Sequence, residues 1–599
     1  MKKQDLIPVV LLVFLLITWG DIDRKIIKPF IYGIEPGSEQ VAEPAAAGSD
    51  PAGSNNPDKP AALTSTETVA AEVLSSEPAN VPSPVEEGVP EMFEYLENDS
   101  LKLKVSSQGS IVSATLKKFQ KSLEEPEKPL VLDFTTHPAL KMLGLPKLSI
   151  LGGIGVNNNV ATLLFQGEKG FSLTRKFALS DDYRIEVKDV YTNESGALIR
   201  LPEHQIQLGN MLMLEGVYSA GMATVGVDVY LQSSDNALNL AGRNLKEAKK
   251  SNGNVYSEDV LSPVDWMAVK NKFFTNLLFV QSGDMEAPKG YSHTTTYFPE
   301  KKTVSNASAD ILLKEILLEP KQSQTRNMDF YVGPKEYKAL KQLANDEHEI
   351  MEFGYKFLRG LWKLLCPILL TIIIFFHNIV GNYGVAIILL TVVVRLAFWS
   401  LTQKSTDSMK KMQKLAPDIK VLKEKHKDNP QAQQQAMMAL YKEHKVNPMS
   451  GCLPMLIQMP IFLALFFMLR SAVELRFADF LWVKDLSEAE NLFKGLLPFG
   501  VNFLPFAMSG TMFLQMRMNP QGGDPMQAKI MQMMPIMMMV FLYNMPSGLL
   551  LYWTTSNLIS MAQMKYTKHR DAKSEAAEAG KVEVLPPKIK NVKPKKKKK

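Results

Sequence analysis

"VAIILLTVVVRLAFWSL" (Val385–Leu401) runs straight into a lysine-rich stretch, and the reading of that junction decides the fold. The run suits a membrane-crossing helix, at 1.5 Å of rise per residue across about 30 Å of hydrocarbon. One arginine, Arg395, sits inside it. A guanidinium in hydrocarbon costs from about 3 to over 10 kcal/mol, depending on how it is relieved. Beyond the run, residues 403–445 hold ten lysines against five acids. Lysine excess marks the cytoplasmic side. The span therefore travels inward, and its first residues lie outside.

The rest of the topology follows by parity. The chain opens MKK and then "LIPVVLLVFLLITWG" (Leu6–Gly20), with no small-residue cleavage site after it. This predicts an uncleaved anchor over 1–22 with its N-terminus inside. The chain ends "KPKKKKK", also a cytoplasmic signature. If "LLCPILLTIIIFF" (Leu364–Phe376) spanned as well, the lysine-rich stretch would be placed outside. An interfacial amphipathic helix over 345–380 fits better, with Lys356, Arg359 and Lys363 among aromatics in its first part. The remaining expectations are spans at 383–402, 453–470, 494–515, 530–544 and 547–565. A helical hairpin at 403–447, a periplasmic loop at 471–493 and a basic cytoplasmic tail at 566–599 complete the arrangement. The hairpin is expected as two helices parted by "DNP".

The 599 residues are 46% hydrophobic and 22% charged, and those averages hide a split, because the long apolar runs crowd the C-terminal third. Residues 32–90 are rich in Pro, Ala, Gly, Ser and Glu, which cannot bury a core and predict a disordered spacer. From about Met92, alternating runs such as "LKLKVSSQGSIVSATLKKF" and "YRIEVKDVYTNESG" are broken by Gly, Asn and Asp. They predict one large all-β sandwich over 91–340. Cys366 and Cys452 are too few for a disulfide framework. There is no GxSxG, Walker A, HExxH or Cys-x-x-Cys pattern. No enzyme, cofactor or metal site is expected.

Arg395 lies roughly 9 Å from the inner end of its span. A snorkelling arginine is one reading. The other rests on polar residues pooled in the inner halves of several spans: Thr391 and Thr402 with Arg395, Gln458, then Ser509, Thr511 and Gln515, and a stripe of Tyr552, Ser556, Ser560 and Gln563. A single Ser or Thr usually bonds its own helix; the pooling points to a wet, positive groove open to the cytoplasm. The spans contain no Asp or Glu, so Arg395 has no partner of opposite charge there. A solute transporter or channel would want a midplane carboxylate relay or an inverted repeat, and neither is seen. A membrane-anchored binding protein would not need five spans around a buried arginine.

"TVVVRLAFWSLTQKS", "MMALYKEHKVNPMSGCLPMLIQMPIFLALFFMLR", "DPMQAKIMQMMP" and "MPSGLLLYWTTSNL" resemble the YidC family of membrane protein insertases, in its Gram-negative form. "WMAVKNKFF" (Trp266–Phe274) resembles a stretch of that family's periplasmic domain. The resemblance implies a mixed architecture: a periplasmic β-supersandwich plus an α-helical membrane bundle of five spans, preceded by the anchor. It implies an inner-membrane insertase and chaperone that receives hydrophilic parts of nascent membrane proteins and releases their apolar segments into lipid, alone or with the Sec translocon. Its groove residues fall on Arg395, Thr391 and Gln458, with substrate-contacting aromatics at Tyr552 and Trp553 beside Ser556. Trp553 stands where a tyrosine occurs in the family; the bulk is kept and the hydroxyl lost. The hairpin and lysine-rich tail are expected to meet the ribosome and anionic lipid, and not DNA.

Overall fold

The computed structural model describes residues 91–582 apart from 215–223, 233–236, 282–284, 301–302, 344–349, 352–358, 428, 445, 447–452, 494–499 and 519–524. The expected anchor, the spacer and the end of the basic tail lie outside the described residues.

Period-two sequence becomes strand wherever one face is buried. In Arg184–Asn193, Ile185, Val187, Asp189, Tyr191 and Asn193 point inward while their neighbours are more exposed. This strand pairs with Phe171–Leu179 on one side and Ser323–Pro334 on the other. All three belong to an antiparallel sheet of nine strands. A five-stranded sheet, centred on Thr303–Leu313 and His204–Leu212, packs across it. A four-stranded sheet begins at Phe93–Glu97 and ends at Pro129–Asp133. The sheets share one apolar core, with Trp266, Phe134, Phe177 and Phe330 among its largest side chains. The domain is not purely β. Helix α1 (Ala241–Lys250) lies against the strands Gly226–Leu231 and Gly290–Phe298, and α2 (Tyr337–Lys341) closes the domain.

Sequence patterning hides buried charge pairs: Lys270 with Asp228, and Arg175 with Asp189. The guanidinium makes two 2.7 Å bonds to the carboxylate and donates to the carbonyls of Gly109 and Leu140. Every buried polar group of the pair is thereby matched, which is the condition for tolerating it in a core.

Nine helices follow among the described residues: α3 (Arg359–Val380), α4 (Tyr383–Ala397), α5 (Trp399–Lys414), α6 (Ala416–Lys425), α7 (Pro430–Glu443), α8 (Leu453–Ser471), α9 (Leu504–Met518), α10 (Pro525–Phe541) and α11 (Ser547–Val582). Their outward faces are apolar: Leu396, Met533, Ile536 and Val540 are all more than 60% exposed. Such a surface fits lipid and not water. The corner between α3 and α4 is written in "GNYG". Gly381 takes φ +70°, which a side chain would oppose, and its N–H reaches the His377 carbonyl at 2.7 Å. Asn382 then caps α4 by accepting from the Val385 N–H at 3.1 Å. Gly384 permits close packing, since a Cβ there would lie 2.2 Å from the Phe480 ring.

Several expected boundaries move. The span 383–402 is not one helix: it breaks at Phe398 and α5 departs at 62° from α4. The first arm of the hairpin is two helices, because α5 ends at Lys414 and Pro417 opens α6. The helix of the span expected from 494 starts at Leu504, two residues after Asn502, whose side chain accepts from the Asn491 N–H at 2.7 Å. The helix that carries the last expected span does not end at 565; α11 runs on for 36 residues in all, into the expected tail. Helix α3 has 22 residues where 13 apolar ones were counted, and its length and composition suffice to cross a membrane.

Candidate functional site

Helix α11 packs against α4, α8 and α9, so its polar stripe meets side chains from three neighbours. Arg395, from the last turn of α4, donates its Nε to the Ser556 Oγ at 2.8 Å, and a second guanidinium nitrogen reaches the same oxygen. Ser556 is buried and Arg395 is half-buried. No carboxylate bonds the guanidinium among the described residues. One turn along α11 toward its start, the buried Tyr552 hydroxyl accepts from Gln458 Nε2 of α8. Trp553 stands beside it and meets the Phe462 ring edge-on, 4.7 Å between centres. Four residues read from sequence, on three helices, thus form one contiguous polar patch within an apolar bundle, and Trp553 borders it.

Thr391 behaves differently. It is fully buried one turn before Arg395, and its hydroxyl donates to the Ile387 carbonyl of its own helix at 2.7 Å. Ser560, Thr511 and Thr554 also return their hydroxyls to nearby helix carbonyls. Each of these four hydroxyls bonds its own helix, as a Ser or Thr inside a helix usually does. Across helices the bonds come from longer or better-placed groups: Gln563 donates to Thr402 Oγ1 at 3.0 Å, and Ser509 to the Pro535 carbonyl at 2.8 Å. The break at Phe398 takes Thr402 off the helix that carries Arg395.

Two contributors were not anticipated. Asn557 is buried and donates to Thr511 Oγ1 at 3.1 Å, tying α11 to α9. Its place next to Ser556 in "TTSNLIS" was the available signal. Lys410 of α5 pairs with Asp571 on the extension of α11. Together, Arg395–Ser556, Thr402–Gln563 and Lys410–Asp571 share one sequence offset of 161 residues. The segment α4–α5 thus keeps a fixed register with α11 on both sides of the bend. No His/Cys/Asp/Glu group able to hold a metal occurs among the described residues.

Chemically, the patch offers one cation satisfied only by a neutral hydroxyl, with amide and phenol groups beside it. It carries no nucleophile–base pair. It is suited to attract negative or polar groups.

The 60Kd inner membrane protein family matches residues 375–576, and the YidC periplasmic domain family matches residues 153–366. A membrane protein insertase YidC of Pelobacter propionicus is 32% identical over 77% of this chain and 83% of its own. One from Chlorobium luteolum is 32% identical over 89% of this chain and 92% of its own. A crystal structure of active YidC insertase with its first transmembrane domain resolved covers 80% of this chain and 93% of its own, at 19% identity and a TM-score of 0.32.

Proposed function

The chain belongs to the YidC family of membrane protein insertases, an inner-membrane family with a periplasmic domain, and from that premise we propose that Arg395, Ser556, Gln458 and Tyr552 form its substrate groove. The groove opens to the cytoplasm and receives the hydrophilic part of a nascent membrane protein. Trp553 and Thr391 flank it. The observation that carries the reading is the guanidinium of Arg395, which bonds a serine hydroxyl and no carboxylate. A cation kept in an apolar bundle without a counter-charge remains available to a negative group on a passing chain.

The steps follow from physical chemistry. The acidic or polar end of the substrate enters the patch, so its remaining path through hydrocarbon is short. Its apolar segment then moves into lipid along the exposed faces of neighbouring helices, driven by about 25 cal/mol for each Å² of apolar surface removed from water. No nucleotide site is needed for that. The hairpin α5–α7 stands at the cytoplasmic mouth and meets the ribosome with the lysine-rich tail. The protein works alone or beside the Sec translocon, and chaperones helices that need partners. Both termini are cytoplasmic and six segments span.

The test is site-specific photocrosslinking from Gln458 and Trp553 to a stalled nascent membrane protein, run with Arg395→Ala in an insertion assay. Crosslinks from both positions are expected. Insertion of substrates with acidic translocated ends should fall about tenfold in the variant, equal to about 1.4 kcal/mol of barrier. Absence of crosslinks from both positions overturns the groove. Crosslinks with undiminished insertion overturn the role of the charge.

A further inference from the structure

A cavity of about 640 Å³ lies where the strand Ser110–Gln120 and its following turn meet the segment after α8. This volume falls in the range of about 300–1,000 Å³ usual for small-molecule sites. Four cations line it, Lys117, Lys118, Lys128 and Arg476, against two carboxylates, Glu127 and Glu474.

Two of these groups are set in unusual ways. Arg476 donates to the carbonyls of Gln120 and Lys121 at 2.8 and 2.9 Å, and its guanidinium lies 4.2 Å from the Phe477 ring centre. Burial lowers its pKa to about 10, and it stays cationic at neutral pH. Asp485 acts on it through space, and none of its hydrogen bonds goes to a carboxylate. Phe477, next in sequence, holds φ at +59°, a strained value for a bulky residue. Glu474 keeps its Oε2 buried with no hydrogen-bond partner. An unmatched buried acceptor is costly, and a donor brought by a ligand relieves it. Lys117 is held by Glu97 and Lys128 by Glu125, so the cavity sets Glu474, whose Oε2 lacks a donor, beside Lys118 and Arg476.

We propose that this cavity takes a phospholipid head bearing a primary ammonium beside its phosphodiester. The ammonium donates to Glu474, and the phosphate faces Lys118 and Arg476. The proposal rests on the reading that α8 crosses the membrane and ends outside. Glu474 lies three residues beyond the end of α8, which on that reading is the level of the outer-leaflet lipid heads. Exposed Trp482 and Phe503, with ring centres 5.5 Å apart, lie on the loop that follows and just before α9, as interfacial aromatics do. The chemistry discriminates among heads. A choline head has no N–H to give Glu474. A glycerol head carries negative charge and no ammonium, so it meets the carboxylate unfavourably.

The test is native mass spectrometry at pH 8, above the range in which burial keeps Glu474 protonated, of the full chain in detergent with equal amounts of dioleoyl phosphatidylethanolamine, phosphatidylcholine and phosphatidylglycerol. Phosphatidylethanolamine should be retained about tenfold better than the other two, the effect of one charge-assisted hydrogen bond. Glu474→Gln should erase that preference, and Lys118→Glu should weaken all three lipids. Equal retention by the wild type, or an unchanged preference in Glu474→Gln, overturns the proposal. Displacement by glycerophosphoethanolamine at a similar concentration overturns it in favour of a soluble ligand. The span reading is tested apart: Leu481→Cys must react with an impermeant maleimide from the outer face of spheroplasts, and failure there refutes the placement whatever the lipids do.

Discussion

Glu474 sits just after α8, and burial pushes its carboxyl up to about 7 from an ordinary 4.5, with Glu336 adding repulsion. Below pH 4.5 the group is protonated both folded and unfolded, and the full stability is present. Between 4.5 and 7 the unfolded carboxyl ionises while the folded one holds its proton, so stability falls as pH rises. The loss attributable to Glu474 is about 3 kcal/mol across that window and levels off above it. Burial also raises Glu336, which steepens the same slope, while Lys118 opposes it. In lipid-free detergent, thermal unfolding at pH 5 and pH 8 should show a larger difference for the wild type than for Glu474→Gln. Equal differences would mean that the carboxyl is not held neutral. The importance of Glu474 was not legible in sequence, where "SAVELRF" looks like the ordinary end of a span. Arg395 was legible, because an arginine in an apolar run demands an explanation. Its partner Ser556 was legible only as one of a stripe, since spacing orders a helix face but does not say which neighbour it meets.

At the scale of elements, the bend at Phe398 lets α5 leave the bundle while staying in register with α11. Thr402–Gln563 lies just past the bend and Lys410–Asp571 farther on. The ion pair is partly exposed, so its coupling is expected to be about 0.2–1 kcal/mol. That is too little to hold the fold and enough to bias where the hairpin rests. Lys410→Glu should bring higher amide exchange to α5 and α6, and adding Asp571→Lys should restore the wild-type rate. A double variant as mobile as the single one would show that the pair does not position the hairpin. Sequence reads these elements unevenly. The "DNP" break is plain because Asn429 caps α7 and Pro430 starts it. Pro417 carried the same message for α6 and was passed over in a long charged run. No proline or glycine marks Phe398, where packing rather than local propensity ends the helix. The strands were easier, since a sheet with one buried face enforces its alternation.

At the scale of the molecule, the β-sandwich is joined to the loop between α8 and α9 by a few specific contacts. The hairpin tip at Lys272 donates to the Ser487 carbonyl at 3.0 Å and pairs with Glu488, both side chains nearly buried. Lys272→Ala removes the Lys272–Glu488 ion pair and the bond to the Ser487 carbonyl and should cost up to about 3 kcal/mol, seen as raised amide exchange across 485–491. Unchanged exchange would mean that the domain does not lean on this pair. The count of spans turns on α3. One of its faces packs inward through Trp362, Cys366 and Ile373, with the Trp362 ring against Phe467 of α8. Leu364, Ile368, Phe375 and Ile379 stay exposed on another. Apolar faces and 22 residues permit a crossing. Charge argues otherwise, because a crossing α3 would reverse every later helix and put the ten lysines of 403–445 outside. The expectation is that α3 lies in the outer interface, with both ends on one side. Single cysteines at Lys363, Leu481 and Lys427 decide it when treated with an impermeant maleimide on spheroplasts. Labelling at 363 and 481, with 427 reacting only after lysis, keeps α3 outside. Labelling at 427 in intact spheroplasts would make α3 a true span and reverse the orientation of the whole bundle, taking the cytoplasm-facing groove with it.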